Sequence, residues 1–199
     1  MSYNNSFNWK HNGSNNYNYS SWSYKKMNKC TTRYSAGILP YSFDQTGKLV
    51  FLLGKDNDGD WSDFGGRCEF KDQNNPKNTA SREFYEETLG AVLSVQECND
   101  KMTEKKIESN TLNGSPYHMY LVYIDLVNYS DTFNKISNFL KYQFDSRSLT
   151  RVIEKVNIRW FSVDTLLNSI ENKDQFIPLR GVFYKTIKDF KETLIELVK

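Results

Sequence analysis

Apolar and polar residues alternate along the chain in patterns that predict a mixture of strands and helices. Two short apolar runs, from Tyr34 to Tyr41 and from Leu49 to Leu53, flank a polar turn, which predicts a β-hairpin. Further strands are predicted at 117–126 and 156–161, and further helices at 131–144, 163–170 and 182–198. Strands and helices that mix without a strict repeat predict an α/β fold with helices on both faces of a mixed sheet.

One more helix is predicted to begin at Pro76. Asn75 can cap its first turn, and Pro76 takes the first helical position, where a missing N–H group is no loss. The end of this helix is expected near Leu89 and Gly90. The segment before it is a loop that contains Trp61 and a glycine pair, so the helix follows directly on a glycine-rich turn.

The first 30 residues differ in composition from the rest of the chain. They are dominated by Asn, Ser and Tyr and have no periodicity, so we expect a disordered tail at 1–30 and one domain at 31–199. Residues 1–33 contain four lysines, one arginine and no acid, whereas the whole chain carries a formal charge of +2. Aromatic residues among lysines are compatible with contact to single-stranded RNA, and the alternative is an extension without a specific partner.

Length and composition limit the class of protein. At 199 residues the chain is long enough for one domain with a sizeable core. No run of about 18 apolar residues and no apolar secretion signal occurs, so we expect a cytoplasmic protein without a membrane partner. Its three cysteines form no close pair of the kind that holds zinc, and we expect reduced thiols.

Three glutamates of the predicted helix point to metal chemistry. Glu83, Glu86 and Glu87 stand at positions i, i+3 and i+4, which places them on one helix face. Like charges at this spacing repel, and a bound cation would remove the repulsion. Carboxylate oxygens suit Mg²⁺ or Mn²⁺, which commonly bridge a protein to substrate phosphates. Arg82 can reach Glu86 one turn along, and the alternative is a solvated charged face.

The segment from the glycine pair through this helix resembles the Nudix box. The family pattern is Gly, five residues, Glu, seven residues, then Arg-Glu-hydrophobic-any-Glu-Glu-any-Gly, and this chain has Gly66, Asp72 and then Arg82-Glu83-Phe84-Tyr85-Glu86-Glu87. Asp stands in place of the first Glu, nine residues rather than seven precede Arg82, and the closing Gly90 is displaced by one. These departures leave the helix intact and leave the role of Asp72 open.

The resemblance implies an α/β/α sandwich with a mixed sheet and a catalytic loop-helix-loop. It also implies that Mg²⁺ or Mn²⁺ is held by Glu83, Glu86, Glu87 and the backbone carbonyl of Gly65, with Arg82 as an orienting partner. Members of the family often have one more glutamate before a late strand, as a ligand or general base, and Glu154 stands six residues before Trp160. The alternative for Glu154 is a surface carboxylate beside neighbouring basic residues.

Three residues near the glycine pair are candidates for substrate binding. Trp61 can stack on a base or anchor the turn. Gly66 and Glu69 would lie at the rim of the site, since Glu69 follows the glycine pair at the usual family distance.

The activity that the resemblance implies is metal-dependent hydrolysis of a pyrophosphate bond in a nucleoside diphosphate derivative. A free nucleotide, a dinucleoside polyphosphate, a diphosphoinositol phosphate and the 5′ cap of mRNA all remain candidate substrates, and the basic tail favours capped RNA. The alternative from another class is a non-catalytic module that binds nucleotides or RNA, against which the complete set of glutamates argues. The turn and the lengthened box also resemble Nudix proteins of large DNA viruses, and many Nudix proteins are homodimers.

Overall fold

The computed structural model describes residues 33–145, 152–171 and 177–198, and the predicted tail at 1–30 lies outside them. Within this part of the chain, seven strands form one sheet. The strands are β1 (Ser35–Phe43), β2 (Leu49–Asp56), β3 (Trp61–Ser62), β4 (Phe64–Arg67), β5 (Lys106–Asn110), β6 (Pro116–Tyr123) and β7 (Lys155–Ser162). The helices are α1 (Pro76–Glu87), α2 (Val95–Lys101), α3 (Tyr129–Gln143), α4 (Val163–Glu171) and α5 (Gly181–Val198), with a short 3-10 helix at Phe70–Asp72.

The sheet is mixed, with β1 at its centre. The strand order is β3-β2-β1-β6-β5, while β4 pairs with β1 and β7 pairs with β2. β1 is parallel to β6 and antiparallel to β2 and β4. Its first half pairs with β4, where Gly37 lies opposite Gly65, and its last residues pair with β2. β4 therefore pairs with β1 where β2 does not, and β4 is the strand that carries the glycine pair.

Helices cover both faces of the sheet, which confirms the predicted α/β class. Successive residues of a strand face opposite sides, so Ile38 and Leu39 of β1 belong to two separate cores. On one side, Leu39 shares a core with α4 and α5 through residues such as Leu166 and Ile187. On the other side, Ile38 shares a core with α1 and α3 through residues such as Phe84 and Phe133.

The helix predicted at Pro76 begins where its sequence signals place it. Asn75 is in an extended conformation, and its side chain accepts a hydrogen bond of 3.0 Å from the Lys77 backbone N–H. α1 ends at Glu87, two residues before the expected end, because Leu89 and Gly90 both adopt positive φ angles of 55° and 66°.

Several other boundaries differ from those predicted. The strand expected at 117–126 ends at Tyr123, and α2 and β5 were not predicted at all. β5 has one fully buried apolar side chain, Ile107, among polar neighbours, so it has no alternating pattern that would announce a strand. Its pairing with β6, rather than its own composition, makes it a strand.

The described residues include two of the three cysteines and all the helices whose bounds are given above. Cys98 is buried and free, but Cys68 is disulfide-bonded, so the expected reduced thiol at Cys68 is wrong. Among the helices of the described residues, none combines the length and the apolar character that crossing a membrane requires.

Candidate metal and substrate site

Close contact between β4 and its neighbours depends on glycine. A Cβ atom on Gly65 would lie 2.7 Å from the Cα atom of Gly37 on β1, and one on Gly66 would lie 2.4 Å from the carboxylate of Glu83 on α1. Real Cβ atoms do not approach other atoms this closely, so a larger residue at position 65 would force β1 and β4 apart, and one at position 66 would displace the Glu83 side chain. The glycine pair thus lets the backbone of β4 lie directly against the acidic edge of α1.

Glu87 is held against this backbone. Its side chain is buried, and Oε2 accepts a hydrogen bond of 2.8 Å from the Gly65 N–H. Oε1 lies 3.5 Å from the Nζ atom of Lys155. Burial raises the pKa of Glu87 to about 8 even though the Lys155 charge acts to lower it, and the charges of Glu83 and Glu154 raise it further. A second cation near Glu87 would favour its charged form.

Glu83 and Glu86 share a cationic partner. The Nη1 atom of Arg82 lies 2.8 Å from Glu83 Oε1 and 2.9 Å from Glu86 Oε2, and Glu86 also lies 3.1 Å from Lys71 Nζ. Glu83 is buried above Gly66, and this burial raises its pKa to about 7 against the opposing charge of Arg82. Glu86 is exposed, so it can meet a ligand from solvent.

The donor atoms at this edge fit a hard divalent cation. Carboxylate oxygens and a backbone carbonyl are the ligands that Mg²⁺ and Mn²⁺ take, and two of the glutamates are buried at a place where added positive charge would stabilise them. Within the described residues, however, no three acidic, His or Cys side chains are grouped closely enough to hold an ion. The three predicted glutamates of α1 are instead paired with Arg82, Lys71 or Lys155. Ion binding would require exchange of these partners.

Asp72 holds the other side of Arg82. Arg82 donates from Nε to Asp72 Oδ1 and from Nη2 to Asp72 Oδ2, both at 2.9 Å, and Nη2 also donates to the Arg67 carbonyl. Asp72 is 2% exposed and further accepts hydrogen bonds from the Glu69 backbone and the Thr79 hydroxyl. Burial disfavours the charged guanidinium, but the hydrogen bonds from Arg82 to Asp72 and the nearby glutamates outweigh it and raise the Arg82 pKa.

The lengthened loop explains how an aspartate reaches Arg82. The 3-10 helix ends in Asp72, and the next two residues, Gln73 and Asn74, have positive φ angles of 57° and 56° before Asn75 caps α1. This left-handed turn accommodates residues that the spacing of the family pattern lacks. The sequence alone leaves the role of Asp72 open, and the structure places this residue in a bidentate pair with Arg82.

Lys155 is a site residue that sequence reasoning missed. Its side chain is fully buried, with Nζ at 2.6 Å from Asp56 Oδ1 and 2.8 Å from Ser62 Oγ. The pairing of β2 and β7 shifts register between Lys55 and Asp56, so simple alternation along β7 does not predict which side Lys155 faces. In the sequence it was only a charged neighbour of Glu154.

Glu154 is exposed in the loop directly before β7. Its backbone carbonyl accepts a hydrogen bond of 3.4 Å from Asn57, and its charge raises the pKa of both Glu83 and Glu87. The side chain is thus near the two buried glutamates and open to solvent. Whether it is a ligand or a base stays a prediction.

The residues predicted at the substrate rim lie in different surroundings. Trp61 is buried, with its ring edge-on to Phe161 at a centroid distance of 4.8 Å, and its backbone bonds to Pro178 and Arg180. This position favours the turn-anchoring alternative over base stacking. The Glu69 side chain is about half exposed and lies 3.3 Å from Lys71 Nζ.

A cleft of about 560 Å³ opens beside the glycine pair. Its lining includes both glycines of β4, the buried residues Asp63 and Tyr117, and the three arginines Arg33, Arg67 and Arg180. The Tyr117 hydroxyl donates a hydrogen bond to Asp63 Oδ2, and burial raises the Asp63 pKa to about 6 against the effect of this bond. Neither Arg33 nor Arg67 forms an ion pair with any described residue. A volume of this size accommodates a nucleotide-sized ligand.

Comparisons with known proteins find similarity in structure but none in sequence. No family model matches the chain, and no curated protein matches it. The Nudix hydrolase RenU of M. smegmatis is 15% identical with a TM-score of 0.46, over 82% of this chain and 86% of that one. A C. elegans Ap4A hydrolase, solved as a binary complex, is 17% identical with a TM-score of 0.46, over 81% and 98% of the two chains. The chain is thus similar in structure to solved Nudix hydrolases, the family whose box its sequence resembles.

Proposed function

We propose that the chain is a metal-dependent hydrolase of pyrophosphate bonds in nucleoside diphosphate derivatives. The observation that carries this proposal is the close packing of the acidic face of α1 against the glycine pair of β4. Glu87 accepts a hydrogen bond from the Gly65 N–H, and Glu83 lies over Gly66 at a distance that no side chain there would allow. Glu83 and Glu87 thereby lie against a glycine backbone that borders an open cleft, and the exposed Glu86 follows them on the same helix face. Two arginines of this cleft, Arg33 and Arg67, have no ion-pair partner among the described residues.

The ion-binding residues would be Glu83, Glu86, Glu87 and the carbonyl of Gly65, with Glu154 as a further candidate. A bound Mg²⁺ or Mn²⁺ would neutralise phosphate charge and activate water for in-line attack on phosphorus. Arg82 pairs with Glu83 and Glu86. Because Asp72 holds its guanidinium from the opposite side, Arg82 would stay beside both carboxylates after they exchange it for an ion. Glu87 is already engaged by Gly65 and Lys155, whereas Glu154 is exposed, so we assign the proton-accepting role to Glu154.

The cleft favours a nucleotide over a diphosphoinositol phosphate. Arg33 and Arg67 are exposed cations without ion-pair partners among the described residues, which suits a phosphate chain. Asp63 contributes a carboxyl group to the cleft wall. A carboxylate repels a ring that carries several phosphates, but it can accept hydrogen bonds from the N–H groups of a base. Capped RNA is our preferred substrate, because the basic residues at 1–33 add a means of binding its backbone.

A substrate panel tests the proposal. Purified protein is assayed in Mg²⁺ and in Mn²⁺ with cap-labelled RNA, ADP-ribose, dinucleoside polyphosphates, nucleoside triphosphates and diphosphoinositol phosphates. Glu86→Gln is the test variant, since Glu86 is exposed and its loss leaves the core intact, and Glu192→Gln on the exposed side of α5 is the matched control.

Three outcomes are distinguishable. Release of m7GDP from capped RNA that Glu86→Gln abolishes and Glu192→Gln retains would establish decapping. Turnover of a small nucleotide alone would support the hydrolase activity and exclude capped RNA as its substrate. If no substrate is turned over with either ion, the alternative of a non-catalytic nucleotide-binding module replaces the proposal.

A further inference from the structure

The buried side chain of Lys155 occupies a space that the sheet leaves open for it. Gly54 of β2 lies beneath the lysine stem, and a Cβ atom at Gly54 would lie 2.9 Å from Lys155 Cδ and 3.0 Å from Cε. The same Cβ would lie 2.8 Å from the ring of Phe64. A larger residue at position 54 would therefore displace the lysine. The absence of a side chain at Gly54 thus leaves the space through which the Lys155 side chain reaches the site.

The ammonium group of Lys155 lies among three oxygen atoms from different parts of the chain. It is 2.6 Å from Asp56 Oδ1, 2.8 Å from Ser62 Oγ and 3.5 Å from Glu87 Oε1. An ammonium has three N–H donors, and a charge that is fully buried must be paired or hydrogen-bonded to persist. These oxygens are of the same kind that a hard divalent cation takes. Lys155 thus supplies a positive charge from the protein itself between the carboxylates of Asp56 and Glu87.

We propose that Lys155 is a positioning residue whose ammonium takes the place of one divalent cation between Asp56 and Glu87. This inference rests on the proposed function, because it concerns how many ions the same site accepts. By holding Glu87 beside the Gly65 backbone, Lys155 fixes the place of that carboxylate, and Glu83 and Glu86 are the first carboxylates to exchange partners when an ion enters. The wild-type chain accordingly binds one ion fewer than its carboxylates would otherwise hold.

The test counts bound Mn²⁺ by electron paramagnetic resonance on the full chain, with no substrate present. Lys155→Met keeps much of the length of the side chain and removes its charge. Lys106→Met is the control, since Lys106 is a lysine of β5 whose carboxylate partner is Glu108, at 2.7 Å. We expect Lys155→Met to bind one more Mn²⁺ per chain than the wild type, and Lys106→Met to bind the same number. An equal number in Lys155→Met and wild type overturns the inference.

A second variant covers the case in which Lys155→Met does not fold. Lys155→Gln removes the charge, keeps N–H donors for Asp56 and Ser62, and retains both carboxylates between which the ion would lie. A gain of one Mn²⁺ supports the inference, and a more negative net charge does not explain it, because Lys106→Met loses the same charge. No gain overturns it.

The same count separates this inference from the proposed function. If no protein in the set binds Mn²⁺, the metal-dependent hydrolase itself fails. Equal numbers above zero remove only the role of Lys155.

Discussion

Asp72 and Arg82 form a bidentate pair in which two hydrogen bonds of 2.9 Å join the guanidinium and the carboxylate. Both side chains are buried, with 2% and 8% of their surfaces exposed. Arg82 uses its remaining N–H groups on Glu83, Glu86 and the Arg67 carbonyl. One arginine therefore connects the lengthened loop, β4 and the acidic edge of α1.

The buried pair predicts a large stability loss when its acid is removed. Asp72→Ala leaves the Arg82 charge buried without its main partner, and we expect the free energy of unfolding to fall by about 3–5 kcal/mol. Asp164→Ala is the matched control, because its pair with Lys48 is exposed at 3.9 Å and should change stability by less than about 0.5 kcal/mol. Urea unfolding measures both. Similar losses in the two variants would contradict the role given to Asp72.

The same pair predicts how stability depends on pH. Burial alone would raise the pKa of Asp72, but hydrogen bonds from Arg82, the Glu69 backbone and Thr79 outweigh it and lower the pKa below its ordinary value of 3.8. A carboxyl with a lower pKa in the folded chain contributes stability above its unfolded pKa and loses it as pH falls through the folded pKa.

We therefore expect the stability advantage of wild type over Asp72→Asn to be constant above about pH 5 and to shrink below the ordinary pKa. Urea unfolding of the two proteins between about pH 6 and about pH 2 measures this difference. An advantage that stays constant or grows on acidification would show that the Asp72 charge is not what the fold uses.

Replacing Gly66 is expected to weaken metal binding strongly and to lower stability moderately. In Gly66→Ala the new methyl group would meet the end of the Glu83 side chain, which can swing away, so we expect a stability loss of about 1–3 kcal/mol. The displaced carboxylate, however, leaves the place where an ion would need it. Mn²⁺ affinity and hydrolysis should both fall steeply.

Gly181→Ala is the control for this substitution. Among the described residues, a Cβ atom there meets only Leu112 Cδ1, at an ordinary contact distance of 3.8 Å. Titration with Mn²⁺ and thermal unfolding of both variants provide the measurements. Unchanged Mn²⁺ affinity in Gly66→Ala would remove Glu83 from the ion-binding set.

Replacing Glu154 is expected to lower the rate of hydrolysis without changing the stability of the fold. Its side chain is exposed, so Glu154→Gln should leave the unfolding midpoint where it is. If Glu154 accepts the proton from the attacking water, hydrolysis should fall by about 10²–10⁴-fold. Steady-state rates of Glu154→Gln and Glu192→Gln give the comparison, and full activity in Glu154→Gln would return the role to Glu87.

The local features of α1 could be predicted from the sequence because they depend on neighbouring residues. The Asn75 cap, the start at Pro76 and the common face of Glu83, Glu86 and Glu87 follow from helix geometry alone. Helices on both faces of the sheet followed from the mixture of apolar patterns. β5 escaped prediction because its strand conformation comes from its pairing with β6.

Contacts between distant residues completed the site. Lys155 and Asp56 are 99 positions apart, and Tyr117 and Asp63 are 54 apart, so no local pattern connects them. The left-handed turn at Gln73 and Asn74 also decided that Asp72 reaches Arg82, although the spacing in the sequence departs from the family pattern. By itself the sequence determined which helix carries the carboxylates, since helix periodicity is a property of adjacent turns. Only the tertiary structure decided which cations those carboxylates face, because burial and the register between strands bring the partners together.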